Sequence, residues 1–196
     1  MGSSSDIICV CGAGTMGSGI AQLAARAGYY TILYDLNTEV LQIAKHSISN
    51  GVSYWETKGK INSTEKAEIY ERILFTNEIQ KCKAGIVIEA IIEKEGAKAA
   101  LFKQLAEINS NDCIFASNTS SLSVAKIAER IENPERVIGI HFFNPAPVMK
   151  LVEVVTTVHT NEKTTQAIVE LAKRMNKIPV ICKDSPGFIV DRVARP

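Results

Sequence analysis

Short apolar runs alternate along the chain with longer stretches in which apolar residues recur every three or four positions. The continuous runs predict buried strands, whereas the periodic stretches predict amphipathic helices. We expect strands at residues 7–11, 30–34, 73–75, 84–90, 113–116, 137–140, 151–155 and 180–182. We expect one helix between the first two strands, ending near Gly28, and others at residues 38–57, 62–71, 95–108, 122–131 and 162–176. This alternation predicts an α/β fold with a doubly wound, mostly parallel sheet that helices cover on both faces.

A glycine-rich turn follows the first predicted strand and opens the first helix. It consists of Gly12, Ala13, Gly14, Thr15, Met16 and Gly17. In a Rossmann-type G-x-G-x-x-G turn, the first glycine permits the tight turn, the second lets the backbone approach a pyrophosphate, and the third lets helix and strand pack closely. The N-terminus of the helix then presents free N–H groups to the anion. The turn predicts dinucleotide binding, although glycine runs also form plain tight turns.

Asp35 ends the second predicted strand, about 20 residues after the glycines. A carboxylate at this place can accept hydrogen bonds from both ribose hydroxyls and would repel a 2′-phosphate. Because no arginine occurs at residues 36–38, the pattern favours NAD over NADP. A helix cap is the ordinary alternative for Asp35, and it is compatible with a ribose contact. The two helices at 38–57 and 62–71 make a helical excursion after the second strand.

The composition narrows the classes of partner. Lys and Arg total 22 and Asp and Glu total 21, so the net charge is +1 and no basic face indicates nucleic acid or a membrane surface. We find no run long enough to span a bilayer and no secretory signal before the first strand, residues 1–5 being set aside. The five cysteines form no C-x-x-C pair and no Cys/His cluster. We therefore expect a reducing, cytoplasmic setting and no metal.

His141 and Glu153 lie at equal distance in sequence from Pro147, at the centre of a proline-rich reversal. If the returning strand pairs with the outgoing one about this centre, imidazole and carboxylate come into contact. A carboxylate on one ring nitrogen fixes the tautomer and leaves the other nitrogen as a base. The alternative is a structural histidine, with Glu153 facing water on an edge strand. His46 and His159 have no such partner in the sequence and are expected at the surface.

Other polar side chains also follow predicted strands, at the edge of the sheet where ligands bind in such folds. They are Glu93, the segment 117–121 and Asn144. Each has an ordinary explanation, since serines after a strand often cap the next helix and a loop glutamate is often simply solvated. Their common placement nevertheless indicates a site at this edge.

Two motifs, together with the glycine turn, resemble the NAD-binding domain of 3-hydroxyacyl-CoA dehydrogenases over nearly the whole chain. His-Phe-Phe-Asn-Pro at 141–145, continued through 148–154, and Ser-Asn-Thr-Ser-Ser at 117–121 are specific in combination, and segments 89–93 and 185–190 also match. The resemblance implies an NAD-binding domain over residues 6–185. It also implies that residues 186–196 begin a helical C-terminal domain, cut short here, which in the family covers the acyl group and makes the dimer.

The resemblance implies roles for individual residues. His141 would be the catalytic base, Glu153 its partner and Ser120 the residue that contacts the substrate. Cofactor contacts are implied for Asp35, Glu93, Lys98 and Asn144. Lys58 would contact the CoA phosphates, with a solvated surface charge as the alternative.

Asp191 departs from the family pattern, which usually has asparagine at this substrate-contacting position. An amide can donate a hydrogen bond to a substrate oxygen, and an ionised carboxylate cannot. If a helix opens at Pro186, Asp191 and Arg195 lie at i and i+4 and can pair on its surface. The role of Asp191 is therefore open.

The expected function is NAD-dependent oxidation of (S)-3-hydroxyacyl-CoA to 3-ketoacyl-CoA, and the reverse, in fatty-acid β-oxidation or butanoate metabolism. Two alternatives stay open: a dinucleotide-binding or dimerising module without turnover, because the C-terminal domain is missing, and a dehydrogenase of another small hydroxy acid. The full-length parent is expected to be a homodimer.

Overall fold

A computed structural model describes residues 6–194 as one eight-stranded sheet with helices on both faces. The strands are β1 Ile7–Cys11, β2 Tyr30–Tyr34, β3 Ile73–Thr76, β4 Ile86–Glu89, β5 Ile114–Ser117, β6 Val137–Phe142, β7 Leu151–Thr156 and β8 Ile178–Lys183. The helices are α1 Thr15–Arg26, α2 Thr38–Thr57, α3 Ser63–Glu71, α4 Glu95–Ile108, α5 Val124–Ala128, α6 Glu162–Arg174 and α7 Val190–Ala194. The Rossmann-type, doubly wound architecture predicted from the pattern is confirmed.

The strands lie in the order β3-β2-β1-β4-β5-β6-β7-β8. All neighbours are parallel except β6 and β7, which are antiparallel. The chain leaves β1 for β2 and β3 on one side and then crosses to β4 on the other. A crevice therefore opens beyond the carboxyl ends of β1 and β4, which is where ligands bind in such sheets.

Two hydrophobic layers pack against the sheet because successive side chains of a strand point to opposite faces. In β1, Ile8 and Val10 join the layer formed with α1, α2 and α6. Cys9 and Cys11 join the layer formed with α4 and α5. All five cysteines are free and buried, as small apolar residues. Within residues 6–194, no helix combines the length and apolar character needed to cross a membrane.

Two predicted helices differ from the observed ones because local hydrogen bonds and backbone angles compete with helix formation. The helix expected over 122–131 is only five residues long, since Thr119 Oγ1 accepts a bond from the Leu122 N–H and Ser123 caps the helix one residue later. The helix considered at Pro186 starts instead at Val190, after a turn in which two residues have positive φ. The suggested partner Arg195 lies outside the described residues.

Candidate active site

The reversal around Pro147 brings His141 and Glu153 together. β6 and β7 pair with His141 directly opposite Glu153, and opposite residues of an antiparallel pair share a face. The imidazole Nδ1 lies 2.7 Å from Glu153 Oε2, and the two side chains are 8% and 1% exposed. The contact expected from the spacing is present. Glu153 does not face water, because β8 continues the sheet beyond β7.

The second oxygen of Glu153 has partners that the spacing did not predict. Oε1 accepts hydrogen bonds from the backbone N–H groups of Ile189 and Val190, each at 2.9 Å. Phe188, in the same turn, packs edge-on against the His141 ring with the ring centroids 5.8 Å apart. Every oxygen of this buried carboxylate thus has a donor. Backbone donors carry no side-chain signature, so no sequence signal indicated them.

The serine and threonine cluster after β5 is organised by Glu93. Its Oε1 accepts bonds from the Thr119 hydroxyl, the Ser120 N–H and the Ser121 hydroxyl, and Lys98 Nζ lies 3.1 Å from Oε2. Burial by itself would raise the pKa of Glu93, but the Thr119 bond and the Lys98 charge outweigh it and hold the pKa below its ordinary value. Glu93 therefore stays ionised and fixes the loop that carries Ser120.

A buried ion pair behind Glu93 includes Glu89, to which the pattern assigned no role. Lys98 Nζ lies 2.6 Å from Glu89 Oε1, and the Ser117 hydroxyl donates to Oε2 at 2.7 Å. Burial raises the pKa of Glu89, and the charge of Lys98 opposes this effect. Lys98 is 1% exposed, so it borders the cleft only through Glu93. One signal could have found Glu89: like Glu153, it is a charged residue within a predicted apolar strand, where it needs a partner.

Most of the predicted catalytic and substrate residues border one cleft of about 420 Å³ at the carboxyl edge of the sheet. Its polar lining comprises Glu93, Asn118, Ser120, His141, Asn144 and Asp191. Met16 contributes from the glycine turn, so the turn and the imidazole share this cleft. Glu153 lies behind the imidazole. The cleft therefore combines a base, hydroxyl and amide groups, and the unexpected carboxylate of Asp191.

The glycine turn has the geometry of an anion cradle. At Gly12, which has φ +98°, a Cβ would lie 2.5 Å from the Ala90 carbonyl oxygen; at Gly17 it would lie 1.7 Å from the Gly12 oxygen. The space beside Gly14 is open for 4 Å. α1 begins after Gly14 with no side-chain cap and no acidic residue in its first turn. Among the described residues, its first N–H groups are thus left for an anion.

Asp35 borders a second, largely apolar cleft of about 530 Å³ next to the glycine turn. Its Oδ2 accepts a bond from the Ala13 N–H at 2.8 Å, and its Oδ1 accepts one from the Asn37 N–H at 2.9 Å. The cap of α2 is Asn37, whose side chain accepts from the Glu39 N–H, so Asp35 is not the cap. Each Asp35 oxygen keeps a further lone pair with which to accept a ribose hydroxyl.

A third and larger cleft, of about 720 Å³, is lined in part by the loop 144–150, which also lines the catalytic cleft. Asn144 lines the catalytic cleft, and Pro147, Val148 and Lys150 line the larger one. The cations of the larger cleft are Arg26, Lys60, Lys150, Arg174 and Lys177, and none of its described lining residues is acidic. We refer to it as the basic cleft.

The remaining candidates lie elsewhere. Lys58 follows α2, is exposed, and has its ammonium 5.6 Å from the Tyr54 ring centre. His159 is only partly exposed and lies 3.7 Å from Glu129, a partner not evident from the sequence. The described residues contain no group of three or more His, Cys, Asp or Glu side chains that could hold a metal ion.

Comparisons with known proteins agree with this geometry. The family model described as "3-hydroxyacyl-CoA dehydrogenase, NAD binding domain" matches residues 7–185. The 3-hydroxyadipyl-CoA dehydrogenase of Escherichia coli K12 and a probable 3-hydroxybutyryl-CoA dehydrogenase of Bacillus subtilis are each 44% identical over 190 residues; these residues are 96% of this chain, but 40% and 66% of those proteins. The crystal structure of (S)-3-hydroxybutyryl-CoA dehydrogenase from Ralstonia eutropha has a TM-score of 0.94 at 36% identity, covering 97% of this chain and 68% of that one. The chain belongs to the 3-hydroxyacyl-CoA dehydrogenase family and comprises that family's NAD-binding domain.

Proposed function

We propose that this chain is the cofactor-binding and catalytic part of a dehydrogenase that interconverts (S)-3-hydroxyacyl-CoA and 3-ketoacyl-CoA with NAD. The observation that carries the proposal is the buried pair of His141 and Glu153 at the edge of a cleft that also reaches the glycine turn. The names of the relatives support acyl-CoA esters as the substrate class. Because the chain spans only 40% and 66% of these two relatives, the activity is assigned to the whole protein.

The residues present fit NAD. Turn residues 12–17 would bind the pyrophosphate, Asp35 would accept the adenosine ribose hydroxyls, and Glu93 and Asn144 would border the nicotinamide half. Lys98 would act by holding Glu93. When bound, NAD supplies the acceptor for the hydride that leaves the substrate carbon.

His141 would remove the hydroxyl proton of the substrate with Nε2, the ring nitrogen that Glu153 does not bind. Glu153 orients the ring and stabilises the imidazolium that forms. Ser120, in the same cleft, would bond to the reacting oxygen. General-base catalysis of this kind contributes about 10²–10⁴ in rate.

The basic cleft supports a CoA ester over a free hydroxy acid. Its cations suit phosphate groups, and the exposed Tyr54 ring offers aromatic surface for a base. Burial and the nearby charge of Arg26 lower the pKa of Lys177 to about 8, and its ammonium donates to the carbonyl oxygens of Ala146 and Met149, so this lysine shapes the loop that lines the cleft. The Gln22 amide nitrogen is buried in this cleft without a partner among the described residues. These residues extend the CoA contact that the resemblance implies for Lys58.

A module without turnover is the second candidate, since the chain covers only part of its relatives. Under the main proposal, residues 186–196 open a helical domain that completes the acyl pocket and pairs the subunits. If residues 1–196 bind NAD but show no turnover, the main proposal predicts turnover in a chain that extends beyond Pro196. A series of 3-ketoacyl-CoA esters and free 3-keto acids separates the CoA enzyme from a dehydrogenase of another hydroxy acid.

The experiment that tests the proposal is His141→Gln, assayed for acetoacetyl-CoA reduction and for NADH affinity in the same preparation. Because the imidazole supplies the base and does not bind the dinucleotide, we expect activity to fall by about 10²–10⁴-fold while the NADH dissociation constant stays within about twofold. A large loss of NADH binding, or retained turnover, would contradict the assignment of His141.

A further inference from the structure

The turn at residues 185–189, between β8 and α7, closes over the side of the dyad that faces away from the catalytic cleft. We propose that the backbone N–H groups of Ile189 and Val190 position the dyad: they bind Glu153 Oε1 and fix the carboxylate with its other oxygen against His141 Nδ1. Because a carboxylate oxygen can only accept, this orientation keeps the ring proton on Nδ1 and the Nε2 lone pair free. This inference deepens the proposed function and rests on it, since it concerns the same base. Ile189 and Val190 are positioning residues and do not touch the substrate.

The distances support this assignment. Both N–H groups lie 2.9 Å from Oε1, and the imidazole Nδ1 lies 2.7 Å from Oε2. A carboxylate oxygen has two lone pairs in its plane, so two donors saturate Oε1. Glu153 is 1% exposed, and rotating its carboxylate would break all three bonds where no water replaces them. The two backbone donors therefore fix the orientation of the carboxylate, with one oxygen on the ring and the other on the turn.

The turn itself is held in a conformation that its sequence alone would not favour. Phe188 has φ +47°, a value uncommon for a residue with a bulky side chain, and it is 3% exposed. Such strain persists only where the surroundings impose it and is concentrated at functional sites. Here the Phe188 ring packs edge-on against His141, and the same backbone kink directs the next two N–H groups at Glu153.

The start of the turn is also anchored. Asp184 accepts bonds from the Ser123 hydroxyl and the Ala125 N–H, each at 2.8 Å, which tie the end of β8 to the start of α5. The Asp184 N–H bonds in turn to the Thr156 carbonyl at the end of β7. The turn thus links the loop after β5 and the strand of Glu153, and it holds the dyad from outside the cleft.

If the two backbone donors orient Glu153, a substitution of its carboxylate should change the tautomer of His141; a turn that only packs against the dyad would not have this effect. In Glu153→Gln, the single amide oxygen is required by the two N–H donors, so the NH₂ group must face His141. Nδ1 then has to accept a hydrogen bond, and the ring proton moves to Nε2, where it blocks the base. If the backbone donors did not control the side chain, the amide would present its oxygen to Nδ1–H and the tautomer would stay unchanged.

The test reads the tautomer of His141 directly, by ¹⁵N NMR of the imidazole nitrogens in the ¹⁵N-labelled chain without substrate or cofactor, over a pH series that includes the neutral ring. The chain has three histidines, and the His141→Gln spectrum identifies the signals of His141. We expect the proton on Nδ1 in the native chain and on Nε2 in Glu153→Gln. A Glu153→Gln spectrum with the proton still on Nδ1, or shared equally, would overturn the proposal.

A second comparison keeps the proposal testable if Glu153→Gln does not fold. Val190 is the first residue of α7, where proline is tolerated, so Val190→Pro removes one donor while Val190→Ala keeps it. We expect the Nδ1 proton to exchange with water about tenfold faster in Val190→Pro than in Val190→Ala, the factor that one hydrogen bond is worth. Equal exchange would refute the role of this donor. No turnover enters either readout, so failure of the proposed function would show separately, in the His141→Gln assay.

Discussion

Glu89 and Glu153 are both strand carboxylates that are almost completely buried, yet they are bound by different kinds of partner. Glu89 is paired with the ammonium of Lys98 and bonded to Ser117 and to the Ile91 N–H. Glu153 is paired with the imidazole of His141 and bonded to two backbone N–H groups. One partner is an ammonium group, whereas the other is an imidazole, the side chain to which the proposed reaction assigns proton transfer.

This difference in partners indicates different roles: a structural role for Glu89 and a role beside the proposed catalytic base for Glu153. Glu89 pairs with Lys98, which in turn holds Glu93 and the loop of Ser120, and Glu89 does not line the catalytic cleft. A carboxylate on a neutral imidazole gains its charged partner only when the ring takes up a proton. Glu153 is therefore suited to the reaction and Glu89 to the scaffold beneath it.

The largest effect on stability is expected for Lys98→Met, which removes the ammonium partner of Glu89. Removing one partner of a buried pair leaves an uncompensated charge, which costs about 3–5 kcal/mol. Denaturant unfolding should show this loss. Lys103→Met on the same helix is the matched control, because Lys103 is exposed, and it should change stability by less than about 0.5 kcal/mol. Equal losses in the two variants would contradict the role of the ion pair.

The pH dependence of the same variant sharpens the comparison. The pKa of Glu89 is raised by burial, and it rises further when Lys98 no longer opposes this. The folded state then binds a proton that the unfolded state does not, so stability increases as the pH falls toward the unfolded pKa. We expect the deficit of Lys98→Met relative to the native chain to shrink as the pH falls from neutrality toward the ordinary pKa of a glutamate, because the raised pKa lets Glu89 take up a proton in the folded state. A deficit that is constant or grows over this range would show that Glu89 does not carry the effect.

A smaller effect, on cofactor affinity, is expected for Asp35→Asn. Asp35 is a half-exposed carboxylate, in contrast to the buried Glu89 and Glu153. Its two oxygens accept backbone N–H bonds, and the amide keeps only one of these. We expect the affinity for NADH to fall by about tenfold, the equivalent of one hydrogen bond. We also expect the preference for NADH over NADPH to decrease. Fluorescence titration with both nucleotides measures this. An unchanged preference would mean that Asp35 does not contact the ribose.

The order of strands and helices and the contact of His141 with Glu153 were predictable from the sequence. Strand pairing about Pro147 is symmetrical, so two residues at equal distances from it must meet. The donors on Glu153 were not predictable, since they are backbone groups 36 and 37 residues away whose direction depends on the positive φ of Phe188. No local pattern indicates such an angle at a phenylalanine.

The role of Glu89 was missed in the sequence for a different reason. Its charge at the end of an apolar run called for a partner as much as that of Glu153 did. The partner Lys98 lies nine residues on, across a loop and into the next helix, where no fixed spacing relates the two side chains. The buried position of Lys98 follows from packing of α4 on the sheet, which the residue pattern describes only as an amphipathic helix.

The proposed roles of Glu153, which orients the catalytic His141, and of Glu89, which supports the site, are tested most directly by Glu153→Gln and Glu89→Gln. Each variant is measured for kcat in acetoacetyl-CoA reduction and for Tm, in a form of the protein long enough to show turnover. We predict that Glu153→Gln lowers kcat by about 10²–10⁴-fold and leaves Tm within a few degrees, because the amide oxygen keeps the two backbone donors and the amide NH₂ can donate to His141 Nδ1. Glu89→Gln should lower Tm, because Lys98 loses one of its two carboxylate partners. The folded protein should keep kcat within about tenfold, because Lys98 still pairs with Glu93. Full activity in Glu153→Gln, or its abolition by Glu89→Gln in a protein that remains folded, would contradict the assignment.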